Sequence, residues 1–137
     1  MLDTVVAKKR IRSFMEGGQA LDEHGIMQYA INMKLLGIEW DEEKNELNKR
    51  VHNLAFEDAQ YVFTDSERLE RVDQSEGNTT GEERWQTLGM VGKVLFVVYT
   101  ERGEKKRIIM ARLADKAERR SYNGYYHIDN KGWSKAT

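Results

Sequence analysis

His52, Arg102 and Arg112 are the side chains of this chain best suited to moving protons or gripping phosphate. An imidazole titrates near neutral pH and can give or take a proton. A guanidinium stays charged at any relevant pH, and its planar fork matches two phosphate oxygens. Each residue also has an ordinary structural use. His52 falls at the end of a predicted helix, where its charged form would interact favourably with the helix dipole. Arg102 stands beside Gly103 in a predicted turn, either as a plain hairpin charge or as a residue that a ligand backbone can approach closely. Arg112 ends an apolar run beside Ile108, Ile109 and Leu113, so its charge must find solvent, a carboxylate or a ligand. Arg107 differs in parity from Arg112 and in a regular strand would face the other side of the sheet, which leaves it outside the candidate set.

Composition closes off other chemistries. The 137 residues include no cysteine, which excludes disulfides and thiolate chemistry and fits a reducing cytoplasm. The other two histidines, His24 and His127, are far from His52 in sequence, so neither a metal site nor any other cofactor is expected. No glycine-rich nucleotide loop or G-x-S-x-G elbow is present. No window approaches the roughly 18 apolar residues of a membrane span, so no membrane association is expected.

Charge is distributed unevenly. The chain has a formal net charge of −1, yet Tyr99–Arg120 holds 8 basic against 4 acidic residues, and residues 41–83 hold 13 acidic against 5 basic. That asymmetry suits a protein meeting a polyanion with one side. Because the basic residues follow a very apolar run, "KVLFVVYT", one end or face of a sheet is expected to be cationic.

Those residues need a scaffold. "LLGIEW" reads as a short strand leading into Asp41, a good N-cap, with Glu42 and Glu43 in the first turn of a helix to about Val51. Trp40, Leu47, Val51 and Leu54 recur at helical spacing and predict its apolar stripe, with "EEKNE" facing water. "AFEDAQYVF" predicts a second short helix with Phe56, Ala59, Val62 and Phe63 on one side. Strands are predicted at Leu69–Asp73, Arg84–Met90, Lys93–Thr100 and Lys106–Leu113, separated by the polar loop "QSEGNTTGEE" and the short connections "VGK" and "ERGEK", and the short connections imply antiparallel neighbours. Lys93–Thr100 is apolar at both parities and should be central. "ADKAERRSY" predicts a basic helix, and the tail "YNGYYHIDNKGW" could stack bases or pack on the sheet or a partner. The fold class is α+β, a small antiparallel β-meander with helices packed against it. Residues 1–34 read as an N-terminal extension with glycine breaks and no sustained apolar face, and residues 35–137 as one domain. Met33 opens a stretch resembling a natural protein start.

Three blocks, "WDEEKNELNKRVHNLAFEDAQYVF", "EERWQTLGMVGKVLFVVYTERG" and "RIIMARLADKAERRSY", resemble the BrnT family of bacterial type II toxins, in that family's order and over roughly residues 35–122. The resemblance implies a RelE-like fold, RNA cleavage, and neutralisation by a DNA-binding antitoxin, with a toxin–antitoxin heterocomplex or a homo-oligomer as the assembly. It places His52, Arg102 and Arg112 at the family's site positions. This chain departs from the family pattern at Val51, Asn53, Ala55 and Met110, where a lysine, a glycine, a small polar cap and a serine are usual. The activity implied is a metal-independent endoribonuclease. The alternative is a non-catalytic module that keeps the toxin fold to bind an antitoxin-like protein or RNA.

Overall fold

Strand β4, Lys93–Arg102, is the layer on which everything else is built. In the computed structural model, which describes residues 37–74, 81–124 and 131–136, it is buried from Val94 to Thr100. Its side chains alternate into two cores, as its two apolar parities predict. Leu95 and Val97 join Ile38, Leu54, Phe56, Ala59, Val62, Ile108 and Ala111 on one face. Val94, Phe96 and Val98 join Leu69, Leu88, Ala114 and Trp133 on the other.

In chain order the elements are β1 (Ile38–Trp40), α1 (Glu42–His52), α2 (Phe56–Ala59) running into a 3-10 turn at Gln60–Thr64, β2 (Leu69–Val72), β3 (Arg84–Val91), β4, β5 (Lys105–Leu113), α3 (Lys116–Tyr122) and β6 (Ser134–Lys135). The sheet order is β1-β5-β4-β3-β2-β6. Strands β2 to β5 form the expected antiparallel meander. Two short strands extend it: β1 joins β5 in parallel, and β6, directly after the aromatic tail, joins β2 antiparallel. The extension at residues 1–34, with His24, lies outside the described residues, as does His127.

Helix α1 starts where Asp41 accepts the Glu43 N–H at 2.8 Å and ends at Asn53, which takes the left-handed conformation at φ 54°. A glycine is usual at such a C-cap and asparagine tolerates it next best. The predicted apolar stripe of α1 is corrected. Leu47 and Val51 are 52% and 64% exposed, and the helix buries Asn45 and Asn48 instead. The reason is what the helix meets. Strand β1 pairs with β5 only at Lys106, Arg107 and Ile108, so beyond Ile108 the edge of β5 presents backbone groups that need polar partners. Asn48 supplies them: its amide donates to the Ala111 carbonyl at 2.8 Å and accepts the Ala111 N–H at 3.1 Å, with a second donation to Leu54 O at 2.8 Å. A leucine there would leave those groups unpaired. Asn45 accepts the Phe56 N–H at 2.8 Å, so α1 satisfies the start of α2, where Ala55 offers no side-chain cap.

A second correction concerns β5. Val98 pairs with Met110 but Tyr99 pairs with Ile108, so Ile109 is an extra residue and β5 is bulged. The bulge reverses the parity on which Arg107 was set aside. Arg107 lies opposite Thr100 and Arg112 opposite Phe96, positions of one parity on β4, so both arginines face the same side of the sheet.

Candidate functional site

The two arginines singled out from the sequence stand at opposite ends of the sheet. Arg102 closes β4 at the β4–β5 turn, opposite Lys105, whereas Arg112 pairs with Phe96 near the start of β4. Six residue steps along the strand separate Phe96 from Arg102, which is about 20 Å. They cannot grip the same phosphate.

His52 lies at the Arg112 end. Trp40 pairs with Ile108, α1 follows at once, and Asn48 touches Ala111, so the helix runs in the same direction as β5. One further turn, about 5 Å, carries half-buried His52 toward the level of Leu113. It is the last residue of α1, beside Lys49 and Arg50 in the final turn, and its ring makes no hydrogen bond among the described residues. His52 and Arg112 thus share an end of the sheet without sharing a face, since α1 docks on the Ala111 edge while Arg112 projects over Phe96.

Arg112 is held from three sides. Its Nη1 and Nη2 donate to Glu118 Oε1 and Oε2 at 2.8 and 3.0 Å, Nη1 also donates to Leu113 O at 3.1 Å, and the guanidinium carbon lies 3.9 Å from the Phe96 ring centroid. Glu118 is 7% exposed and also accepts the Asp115 N–H at 2.8 Å, closing the capping box that starts α3. The carboxylate partner of Arg112 therefore comes from the helix after it.

Arg102 is more exposed, with its Nε 3.1 Å from Glu82 Oε1. Hydrogen bonding to Glu82 raises the Arg102 pKa, and the same bond lowers that of Glu82. At this end Lys106 pairs with Glu101 at 3.4 Å and Arg107 with Glu39 at 3.9 Å. The stretch expected to make one cationic surface therefore divides. Its first half is largely neutralised at the β4–β5 turn, and its second half reaches the opposite end with Arg112, Lys116, Arg119 and Arg120. The β3–β4 turn adds exposed Lys93 there, and α1 adds exposed Arg50. Among the described residues Arg50, Lys93, Lys116, Arg119 and Arg120 have no carboxylate within ion-pair distance, although Arg119 donates to Ala114 O at 2.9 Å. Uncompensated positive charge thus gathers beside His52 and Arg112.

The other positions that depart from the family pattern also find places. Val51 points to solvent, where a lysine would also stand, and Met110 packs against the second core with Ile109. In the aromatic tail, Trp133 is buried edge-on to Phe96 at 6.4 Å and lies under Arg71, which makes it a packing residue; residues 125–130 lie outside the described ones. No group of three His, Asp or Glu side chains among the described residues is placed to hold a metal ion. No helix among the described residues is long and apolar enough to cross a membrane. The face taken by Arg107 and the Glu118 partner of Arg112 are what sequence reasoning missed. Three consecutive apolar residues, Ile108–Met110, are the only local trace of the bulge that turns Arg107.

The family described as "Ribonuclease toxin, BrnT, of type II toxin-antitoxin system" matches residues 40–118, more than half of the chain. The 1.1 Å crystal structure of the Brucella abortus ribonuclease toxin BrnT aligns at 21% identity over 59% of this chain and 99% of that one, with a TM-score of 0.43. No curated protein matched the chain.

Proposed function

The chain belongs to the BrnT family of ribonuclease toxins of type II toxin–antitoxin systems, and from that premise we propose that it cuts RNA in the cytoplasm without a metal ion, using the sheet end that holds His52 and Arg112. Membership implies an RNA target and an antitoxin protein as partners. We further propose that the antitoxin binds DNA.

Metal-free cleavage requires three things. The 2′-hydroxyl must lose its proton, the departing 5′-oxygen must gain one, and the added negative charge around phosphorus must be stabilised. The 2′-oxygen then forms a bond to phosphorus as the bond to the 5′-oxygen breaks, leaving a 2′,3′-cyclic phosphate and a 5′-hydroxyl. In this reading the scissile phosphate lies across the end of the sheet, where His52 reaches it from one side to carry one of the two protons and Arg112 from the other to stabilise the phosphorane. Arg102, about 20 Å away, contacts the RNA backbone several nucleotides along rather than the scissile phosphate. The observation that carries the reading is the docking of Asn48 on Ala111, which sets His52 beside the end of the sheet richest in uncompensated cations.

The test is cleavage of RNA by the purified protein with and without EDTA, on substrates with ribose or 2′-deoxyribose at the scissile position. Cleavage that survives EDTA and stops with the deoxy substrate is expected. Activity abolished by EDTA and restored by Mg²⁺ would overturn the mechanism. A protein that binds RNA or antitoxin but cuts nothing would be the non-catalytic module.

A further inference from the structure

The contacts of Arg112 are specific in a way its charge alone does not require. A guanidinium has five N–H donors in a fixed plane. Three of them are occupied: Nη1 donates to Leu113 O and to Glu118 Oε1, and Nη2 donates once to Glu118 Oε2. The carboxylate meets the end of the guanidinium between its two terminal nitrogens. What remains is the second N–H of Nη2 and the N–H of Nε. These two point the same way along the side edge of the plane and form the other fork with which arginine takes a pair of oxygens. The plane itself lies over Phe96, and about 30% of the side chain stays open to solvent.

We propose that Glu118 is a positioning residue, which holds Arg112 by one edge so that its Nε–Nη2 edge is a preformed fork for an RNA phosphate. This rests on the assignment of Arg112 to the RNA site. Glu118 is fixed in turn by the capping box, with its own N–H given to Asp115 Oδ1 at 2.8 Å, and by burial. The α3 N-terminus, the ion pair and the Phe96 ring thus set one guanidinium before substrate arrives, which removes the entropy cost of ordering a long side chain on binding.

The inference is tested on the full chain with Glu118→Gln, Arg112→Ala and the double variant, measuring kcat and KM for RNA and Kd for a 2′-deoxy analogue that cannot be cut. Glutamine keeps an oxygen for the Asp115 N–H but turns a donor toward Arg112. Glu118→Gln is expected to lower kcat/KM roughly 10- to 100-fold, the scale of a misplaced catalytic group, and to change nothing further once Arg112 is alanine. An equal loss in both backgrounds would make Glu118 structural only and overturn the positioning role. A fully active Arg112→Ala protein would instead remove Arg112 from the site, and the inference with it. A measurement on the unaltered protein guards against a variant that fails to fold. In nitrogen–proton spectra, adding the 2′-deoxy analogue should shift the Arg112 Nε–H while the Nη protons bound to Glu118 stay in place. Displacement of those Nη protons would show that Glu118 competes with phosphate, the opposite of positioning.

Discussion

The side-chain amide of Asn48 exchanges two hydrogen bonds with the backbone of Ala111, donating to its carbonyl and accepting its N–H, as a neighbouring strand would. This one residue attaches α1 to the sheet where β1 has ended. It also determines where His52 comes to rest.

Asn48→Ala removes those two bonds and the donation to Leu54 O, leaving buried backbone groups unpaired. A loss of about 2–4 kcal/mol in urea unfolding is expected, on the scale of stranded buried polar groups. Leu47→Ser or Val51→Ser should stay within about 0.5 kcal/mol, because both residues are exposed. Reversal of that order would restore the apolar stripe as the buried face.

Gly89 on β3 is packed against the 3-10 turn. An added Cβ would stand 2.9 Å from Val62 Cβ and 3.1 Å from its carbonyl oxygen. Gly89→Ala is therefore expected to destabilise the protein by about 1–3 kcal/mol, the usual cost of overpacking. The check is the midpoint of urea unfolding, which should fall with no change of slope.

The two ends of the sheet should behave differently in RNA assays. His52→Ala is expected to lower kcat by roughly 10²- to 10⁴-fold, the range for a positioned acid or base. Arg112→Ala should reduce kcat as well, because phosphorane stabilisation is felt in the transition state. Arg102→Ala should leave kcat near that of the parent and weaken binding. With one fewer phosphate neutralised on a single strand, the slope of log K against log salt should become shallower by roughly 0.7. Equal loss of turnover in the two arginine variants would contradict their separation.

Stability should fall in alkali. Burial pushes the Tyr99 phenol up to about 12, and burial followed by the hydrogen bond to Asp65 raises that of Tyr122. Both raised values mean that the folded protein keeps the proton while the unfolded chain gives it up from about pH 10. The stabilisation that depends on these protons is complete below pH 10 and is lost as pH climbs through the folded values. Tyr99 alone should account for about 2 kcal/mol by pH 12. Urea titrations from pH 8 to 12 should show this decline, and Tyr99→Phe should make it shallower; a decline of unchanged steepness in that variant would remove Tyr99 as its source.

A chain beginning at Met33 should keep cooperative thermal unfolding, because the two described cores draw on residues from Ile38 onward. Loss of cooperativity in calorimetry would show that the upstream residues belong to the core.

Much of this architecture could be read in the sequence, and for physical reasons. A strand apolar at both parities can be satisfied only between two layers, which put Val94–Thr100 at the centre of the sheet. Asp41 followed by Glu42 and Glu43 marked the start of α1, since capping and dipole effects act within one turn. The short connections between strands required an antiparallel meander, because parallel strands need long crossovers. The three blocks of family resemblance likewise identified the family that matches residues 40–118.

What only tertiary structure decided is where backbone groups distant in sequence meet. The open edge of β5 made Asn45 and Asn48 the inner face of α1, against an apolar periodicity that favoured Leu47 and Val51. One extra residue in β5 turned Arg107 to the face of Arg112, and no alternation rule reveals a bulge before its partner strand is known. The register of β4 with β5 sent the positive charge of Tyr99–Arg120 to two ends of the sheet, and the start of α3 gave Arg112 its carboxylate. Local pattern records which residues avoid water; hydrogen bonding between remote segments determines which of the remaining ones stand together.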